Sequence, residues 1–313
     1  METKVGSSVE QILRLLNRDS YSNKTLIMTT HTRNFDFLNL QVQQLEKHIK
    51  FPYTFIAGID LGGSIQTGLH SDQTTRNSFE IISQTTNTLI VEIPEKVHSQ
   101  RRLIFPMNNL HTFGKQSKPA NRCAESLQYL LSTIPWWLFN SLLFIDGDMF
   151  PITDVPLPLV SDENIFRGVK QVRRSFNQSI EYFWGGYFWI HQLCPFHHLL
   201  NFQNGVVKRT NTDVGGHMSS FLAAVQQFNY PISFAGHLPS GRWNEAQLSD
   251  FSFSEKLKDF IRFDSRNESH AGFYSEIYDN AFFHYRAGGN WTRNSIDSEL
   301  GRRKLLQSAL LQN

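Results

Sequence analysis

The chain has 313 residues, of which 40% are hydrophobic and 19% are charged. This balance is typical of a packed globular protein and excludes a largely disordered chain. The formal net charge is only +2, so composition gives no general reason to expect binding to nucleic acid or attraction to a membrane surface. The two cysteines, Cys123 and Cys194, form no Cys-x-x-Cys pair, so they imply neither a zinc site nor a disulfide framework.

Residues 1–22 carry apolar side chains at roughly helical spacing, from Val9 to Leu16, and predict an amphipathic N-terminal extension. They lack the apolar block of a secretory signal. The most apolar run, 134–145, is shorter than the roughly 20 residues that a helix needs to cross a bilayer. We therefore expect a soluble, cytoplasmic protein without a transmembrane segment.

The first part of the chain alternates predicted strands with a predicted helix. Short apolar runs predict strands at 24–30, 53–60 and 88–94, and Gly62-Gly63 ends the second of them. Apolar side chains at helical spacing predict a helix over 35–50. This succession is typical of a parallel sheet with crossover helices.

The middle of the chain brings acidic residues to the end of an apolar run. A helix is predicted over 121–131, with Asn121 as its N-cap. The apolar stretch 140–145 follows as a buried strand and ends at Asp146 and Asp148. Ligands of an open α/β sheet bind at the carboxyl ends of its strands, so the two aspartates lie where chemistry is expected.

After residue 150 the alternation of apolar runs and helical segments becomes less regular, but three elements can still be predicted. The segments 166–172 and 181–190 predict strands of a mixed sheet, and 216–228 predicts a helix. Internal repeats and low-complexity linkers are absent from the sequence. The second half of the chain therefore belongs to a folded domain.

The triplet Asp146-Gly147-Asp148 is the strongest chemical signal in the sequence. Carboxylates are preferred ligands of hard divalent cations, and such a cation neutralises the charge of a departing diphosphate. Gly147 allows a tight turn and leaves room for a phosphate. Alone, such a triplet is most often a solvated turn. The buried strand before it and the apolar Met149-Phe150 after it favour a function, because burying paired acids is costly.

This segment resembles the DxD motif of GT-A glycosyltransferases, in which a hydrophobic strand delivers Asp-x-Asp and an apolar pair follows. Further segments occur in the order of one branch of that family from bacteria and large viruses, across about residues 25–292. They are Thr30–Phe37 (THTRNFDF), Asn121-Arg122, Tyr182–Gly186 (YFWGG), Thr212–Gly216 (TDVGG) and Phe283–Trp291 (FHYRAGGNW). Gly289 departs from the pattern, since serine is expected there.

The resemblance implies a GT-A fold, a Rossmann-like three-layer α/β/α sandwich with a mixed, mainly parallel central sheet. It implies a single domain at 23–313, with a donor-binding half at about 23–150 and an acceptor-side half at about 151–313. The implied enzyme is a hexosyltransferase-like glycosyltransferase that uses Mn²⁺ or Mg²⁺. It moves a sugar from a nucleoside diphosphate sugar to a hydroxyl of a glycan, lipid or protein, and nucleic acid is not an expected partner.

The resemblance also implies roles for individual residues. Asp146, Asp148 and His284 are the implied metal ligands, although a lone histidine on a strand is more often a core residue. The implied donor- and nucleotide-binding residues are Thr30, His31, Arg33, Asn121, Arg122, Gly185, Gly186 and Arg286. The implied sugar and acceptor contacts are Trp184, Asn290 and Trp291.

Residue chemistry leaves alternatives open for several of these positions. Arg286, two residues after His284, would share its strand face and suit a diphosphate, but a surface salt bridge explains it equally. Trp184 and the two glycines after it are either packing beneath the sheet or a backbone floor under a sugar. For Trp291, core packing is the alternative to stacking on a sugar.

Asp213 precedes two glycines and a predicted helix, so it is either a capping residue or a functional carboxylate. As a functional group it would be a general base on the acceptor hydroxyl, or would hold donor-sugar hydroxyls. The resemblance favours the functional interpretation, with Asp213 as the catalytic residue.

Two other functions are alternatives to sugar transfer. A sugar-nucleotide nucleotidyltransferase should carry a glycine-rich loop after the first strand, where this chain has Thr29–Arg33 (TTHTR). A catalytically silent, carbohydrate-binding GT-A module should have lost one acid of the triplet, whereas Asp146 and Asp148 are both present.

Overall fold

A computed structural model describes residues 21–32, 35–61, 72–98, 119–175, 178–207, 210–286 and 296–312. The predicted N-terminal extension therefore lies almost wholly outside the described residues. Within these ranges, no helix combines the length and the apolar character that crossing a membrane requires.

The strands are numbered in chain order. They are β1 Thr25–Thr32, β2 Tyr53–Asp60, β3 Thr88–Glu92, β4 Ser141–Ile145, β5 Met149–Pro151, β6 Phe166–Ser175, β7 Gln178–His191, β8 Gly205–Val207, β9 Thr210–Thr212, β10 Ile232–Phe234, β11 His237–Leu238, β12 Glu276–Tyr278 and β13 Phe282–His284. The strands predicted from apolar runs correspond to β1, β2, β3, β4, β6 and β7, and these predictions are confirmed.

The helices are also numbered in chain order. They are α1 Phe35–His48, α2 Asp72–Thr85, α3 Pro119–Thr133, α4 Ser219–Gln227, α5 Glu245–Ser249, α6 Glu255–Arg262 and α7 Ile296–Leu311, with short 3-10 turns at Trp136–Leu138, His197–Leu199, Gly216–Met218 and Ser265–Ser269. The predicted capping role of Asn121 is wrong. Helix α3 begins at Pro119, whose fixed backbone angle suits a first turn, so Asn121 lies inside the helix.

The central sheet has seven strands in the order β10-β6-β7-β4-β1-β2-β3. Strands β1 to β3 are parallel, and β4 is parallel to β1 on its other side. Only β7 runs against its neighbours, β4 and β6. The sheet is therefore mixed and mainly parallel, as expected for a Rossmann-like GT-A fold. Strand order reverses between β1 and β4, and open α/β sheets bind their ligands at the carboxyl ends of the strands at such a reversal.

Helices cover both faces of this sheet because the side chains of each strand alternate between the faces. Leu142 and Phe144 of β4 join a core cluster with apolar residues of α3 and α4. Leu143 and Ile145 of the same strand join a second cluster with apolar residues of α1 and α2. The result is the predicted three-layer sandwich.

A small antiparallel sheet, in the order β11-β12-β13-β5, adjoins the central one. Strand β5 starts directly after Asp148, and its Met149 pairs with His284 of β13. Three residues connect β12 to β13; Asp279 and Asn280 among them have positive φ, and the amide of Ala281 donates to the carbonyl of Tyr278 at 3.0 Å, which closes a tight turn. This sheet was not predicted, and it carries His284 to the carboxyl end of β4.

Candidate active site

The acidic triplet turns sharply at the carboxyl end of β4, where the strand order reverses. The amide of Asp146 donates to the carbonyl of Gly186 at 2.8 Å, and the amide of Met149 donates to the carbonyl of Asp146 at 3.0 Å. A side chain at Gly147 would collide with the carbonyl oxygen of Thr30. Glycine is therefore required so that this turn can pack against the end of β1.

A buried glutamine, Gln41 of α1, stabilises the turn through two hydrogen bonds to its backbone. Its side-chain nitrogen donates to the carbonyls of Asp146, at 3.0 Å, and Met149, at 2.8 Å. Its oxygen lies 3.1 Å from Nε2 of His31. Sequence analysis missed Gln41, but a signal was present: helical spacing puts this polar residue on the same face as apolar Leu38 and Leu45.

Two of the predicted donor-binding residues, Thr30 and His31, lie at the end of β1 and are buried. His31 is buried, and burial lowers the pKa of its imidazole to about 4, so the ring is neutral at pH 7. The hydroxyl of Thr30 lies 4.0 Å from the thiol of Cys123 in α3. The predicted donor contacts of Thr30 and His31 remain predictions, and His31 already has a structural role through Gln41.

His284 completes a compact group with the two aspartates. Its Nε2 lies 3.0 Å from Oδ1 of Asp148, the contact expected from the resemblance. Ligand atoms of Asp146, Asp148 and His284 all lie within 4.8 Å of one another. Burial alone would lower the pKa of His284, but the carboxylates of Asp148 and Glu276 outweigh burial and raise it to about 10.

The electrostatics of this group fit a divalent cation. Burial, and then the charge of Asp148, raise the pKa of Asp146 to about 7, so two close carboxylates are held together at a cost. Carboxylate oxygens with one imidazole are a donor set for Mn²⁺ and related ions. The second nitrogen of His284, Nδ1, lies 2.9 Å from Oε2 of Glu276, which is the usual arrangement of a metal-binding histidine.

The glycines of β7 serve packing. A side chain at Gly185 would collide with Val214, and one at Gly186 would collide with the indole of Trp184. Trp184 itself is 9% exposed and lies against the rings of Tyr278, at 5.6 Å, and His284, at 5.4 Å between ring centres. The packing interpretation thus accounts for Trp184, Gly185 and Gly186, and their predicted sugar or donor contacts are not needed to explain them.

Asp213 is not a helix cap. Its Oδ1 accepts from the amide of Val214 at 2.8 Å, and neither the 3-10 turn Gly216–Met218 nor α4 has a side-chain cap. Its side chain is 39% exposed, 4.0 Å from Arg173. The charge of Asp213 contributes to the raised pKa of Asp146, so the two carboxylates are electrostatic neighbours.

The two glycines after Asp213 have an internal reason. Gly215 has a left-handed φ of 97°, and a side chain there would collide with the carbonyl of Phe183. A side chain at Gly216 would collide with Thr212. The loop therefore needs glycine to pack against β7, and the close approach of a ligand is not required to explain the pair.

Arg122 belongs to a second charged group, at the carboxyl end of β2. Its Nε donates to Asp60 at 2.7 Å, and its other nitrogens donate to Asp60 and to Glu95. His98 lies 3.6 Å from Asp60 and 2.8 Å from Glu125. The guanidinium of Arg122 already neutralises the carboxylates of Asp60 and Glu95 and occupies their oxygens, so the group Asp60, Glu95 and His98 does not fit a metal ion.

The neighbouring Asn121 is also engaged, since its Oδ1 accepts from Nδ2 of Asn204 at 2.6 Å. The predicted nucleotide contacts of Asn121 and Arg122 remain predictions. The ionic contacts of Arg122 show a further role, which is to join the start of α3 to the end of β2.

We expect this second charged group to make stability depend on pH. Burial would lower the pKa of His98, but Asp60 and Glu125 raise it to about 9. The folded state therefore holds this proton more tightly than the unfolded state, with its usual pKa of about 6.5. The stabilisation that protonated His98 contributes to the folded state is complete below about pH 6.5 and is lost as pH rises through about 9.

Urea unfolding of the wild type and His98→Gln between about pH 6 and 10 measures this effect. The difference in unfolding free energy between the wild type and His98→Gln should shrink as pH rises, because only the wild type loses the stabilisation from protonated His98. The other titrating groups are common to both proteins and cancel in the difference. A difference that stays constant across this range would contradict the assignment.

The last predicted residues lie at or beyond the end of β13. The strand ends at His284, and Arg286 has a left-handed φ of 59°. The prediction that Arg286 shares a strand face with His284 is therefore wrong. Its guanidinium lies over the ring of Tyr274, and its Nε is 4.0 Å from Glu276. Arg33, Asn290 and Trp291 lie outside the described residues.

Comparisons with known proteins provide a distant structural likeness. No protein-family model matches the chain, and no curated protein matches it. Among solved structures the chain is similar to the bifunctional glycosyltransferase WbbM in its apo form, at 12% sequence identity and a TM-score of 0.33. The match covers 56% of this chain, which spans only 33% of WbbM. The functional conclusion therefore rests on the geometry of the site.

Proposed function

We propose that the chain is a metal-dependent glycosyltransferase, which moves a sugar from a nucleoside diphosphate sugar to an acceptor hydroxyl. The observation that carries this proposal is the group Asp146, Asp148 and His284, whose ligand atoms lie within 4.8 Å of one another. This group stands where strand order reverses between β1 and β4, the place where open α/β sheets bind their ligands.

The residues of the group have separate tasks in this proposal. Asp146 and Asp148 supply carboxylate oxygens, and His284 supplies a nitrogen, to Mn²⁺ or Mg²⁺. When bound, such a cation neutralises the oxygens of the diphosphate and the charge of the leaving group. Asp213 takes the proton from the acceptor hydroxyl, or holds hydroxyls of the donor sugar.

The surroundings of the group support these tasks. Gln41 fixes the backbone on both sides of the acidic turn, so the two carboxylates keep one orientation. The side chain of Asp213 is more exposed than those of Asp148 and His284, which suits a group that must contact an incoming acceptor. Glycan, lipid and protein hydroxyls all fit this chemistry.

We expect nucleoside diphosphate sugars to stabilise the protein only when Mn²⁺ is present. Ligand that binds the native state at about 100 times its Kd adds about 2.7 kcal/mol to the unfolding free energy. A thermal-shift panel of sugar nucleotides, with and without Mn²⁺, measures this. The stabilising donor should then be hydrolysed slowly to free sugar and nucleoside diphosphate.

The products of that incubation separate the proposal from its rivals. A nucleotidyltransferase would instead release pyrophosphate from a nucleoside triphosphate and a sugar phosphate. A silent binding module would be stabilised without cleaving the donor. An absence of any Mn²⁺-dependent stabilisation across the panel would contradict the proposed site.

A further inference from the structure

Behind His284 lies a buried carboxylate, Glu276, that is 8% exposed. Glu276 and His284 are direct partners across β12 and β13, so their side chains leave the same face of the small sheet. Oε2 of Glu276 lies 2.9 Å from Nδ1 of His284 and accepts from the hydroxyl of Tyr278 at 2.7 Å. The carboxylate therefore contacts the imidazole on the side opposite Asp148.

From this geometry we infer that Glu276 is a positioning residue, which fixes His284 as the nitrogen ligand of a divalent cation. The inference rests on the metal site of the proposed function. With Nδ1 donating its proton to Glu276, Nε2 is the nitrogen that faces Asp148, and its lone pair is the one available to an ion held beside that carboxylate. Nδ1 cannot then become the ligand, because its direction is taken by the carboxylate.

The other contacts of Glu276 fix its own position. Oε1 accepts from the amide of Ser240 at 3.2 Å, and the side chains of His237 and Arg286 lie 3.7 and 4.0 Å from the same oxygen. On the imidazole side, the indole of Trp184 lies 5.4 Å from the ring of His284. Carboxylate and imidazole are thus both held in one orientation before an ion arrives.

The charge of Glu276 adds to its geometric effect. A carboxylate that accepts a hydrogen bond from Nδ1 raises the basicity of Nε2 and makes it a stronger metal ligand. Loss of such a partner typically lowers metal affinity about 10–100-fold. A purely structural role, in which Glu276 only joins β11, β12 and β13, predicts a loss of stability with unchanged metal affinity.

Glu276→Gln separates the two roles, because it keeps size and an accepting oxygen but removes the charge. We expect its Kd for Mn²⁺, measured from the EPR signal of free Mn²⁺, to rise about 10–100-fold. Glu276→Ala should raise it at least as much. Glu268→Gln, an exposed glutamate outside the site, is the matched control and should bind Mn²⁺ as the wild type does.

A double-mutant cycle makes the test specific to His284. In a His284→Gln background, Glu276→Gln should add little to the loss of Mn²⁺ affinity, since the group through which it acts is gone. Wild-type affinity in Glu276→Gln, or an equal further loss of Mn²⁺ affinity in both backgrounds, would overturn the inference.

If Glu276→Gln folds poorly, the milder Tyr278→Phe tests the same role of Glu276. It removes one partner of Glu276 and should weaken Mn²⁺ binding less than Glu276→Gln, whereas unchanged affinity in a folded Tyr278→Phe would contradict the inference.

These measurements use Mn²⁺ alone, so they do not depend on sugar transfer. If the wild type binds Mn²⁺ and the cycle shows coupling while no sugar nucleotide is cleaved, the proposed function fails and the role of Glu276 stands. If transfer is observed but the Glu276 variants bind Mn²⁺ normally, the proposed function stands and the inferred role of Glu276 fails.

Discussion

Replacement of Asp146 or Asp148 by asparagine is expected to lower donor cleavage by about 10²–10³-fold while the protein stays folded. The ion contributes several kcal/mol to the stabilisation of leaving-group charge, and about 1.4 kcal/mol corresponds to a tenfold change in rate. Asparagine keeps the size of the side chain but loses the negative charge that holds the ion. Steady-state donor hydrolysis with saturating Mn²⁺ measures the effect.

The stability of Asp146→Asn provides an independent part of this prediction. Burial and Asp148 raise the pKa of Asp146 to about 7, above the unfolded value of about 3.9. Ionised Asp146 therefore costs stability, a cost that grows above about pH 4 and is complete above about pH 7. Without metal at pH 8, Asp146→Asn should melt at the same temperature as the wild type or higher.

Asp162→Asn is the control for both measurements, because Asp162 is an exposed aspartate near His191, which pairs with the start of β4 rather than with its end. It should leave activity and melting temperature unchanged. Unfolding of Asp146→Asn and Asp148→Asn, or normal activity in a folded variant, would indicate that the acidic triplet is structural.

Asp213→Asn is expected to depress turnover by about 10²–10⁴-fold, with little change in donor affinity. A general base acts chiefly in the transition state, where proton transfer contributes a factor of this size. Asparagine can still accept the amide hydrogen bond from Val214 through its side-chain oxygen, so the loop should keep its conformation. Turnover with acceptor, and donor Kd from a thermal shift, are the quantities to compare.

The neighbouring Arg173 offers a comparison for Asp213. Its guanidinium lies 4.0 Å from Asp213 and is half exposed, so Arg173→Gln removes the nearby charge but keeps the carboxylate. Its effect on turnover should be much smaller than that of Asp213→Asn. For Asp213→Asn, a rise in KM without a fall in turnover would assign Asp213 to substrate binding. Normal kinetics in Asp213→Asn would remove Asp213 from the site.

The sequence sufficed to predict the central sheet and the position of the acidic pair. Apolar runs such as 140–145 mark buried strands directly, and the order of strands and helices in the first half indicates parallel pairing. The contact between His284 and Asp148 was also expected, through the resemblance. These features depend on local pattern or on a motif, so a single sequence is enough to find them.

The supporting residues were missed for a physical reason. Glu276 lies on β12, a strand of only three residues, which is too short for an alternating pattern to be recognised. Its partner strand, β13, pairs in turn with β5, more than a hundred residues earlier in the chain. Such long-range pairing leaves no local trace. Tertiary packing is sufficient to explain the glycines at 185, 186, 215 and 216, and such packing cannot be recognised in a single sequence.

The pairing of β5 with β13 has a thermodynamic consequence. Asp148 and His284 are 136 residues apart in the chain, so an ion held by both would act as a cross-link between the central sheet and the small sheet. Any partial opening that separates β13 from β5 would have to release the ion first. The free energy of ion binding is then added to that of the opening. The concentration of the cation would thereby set how often the C-terminal part of the chain detaches.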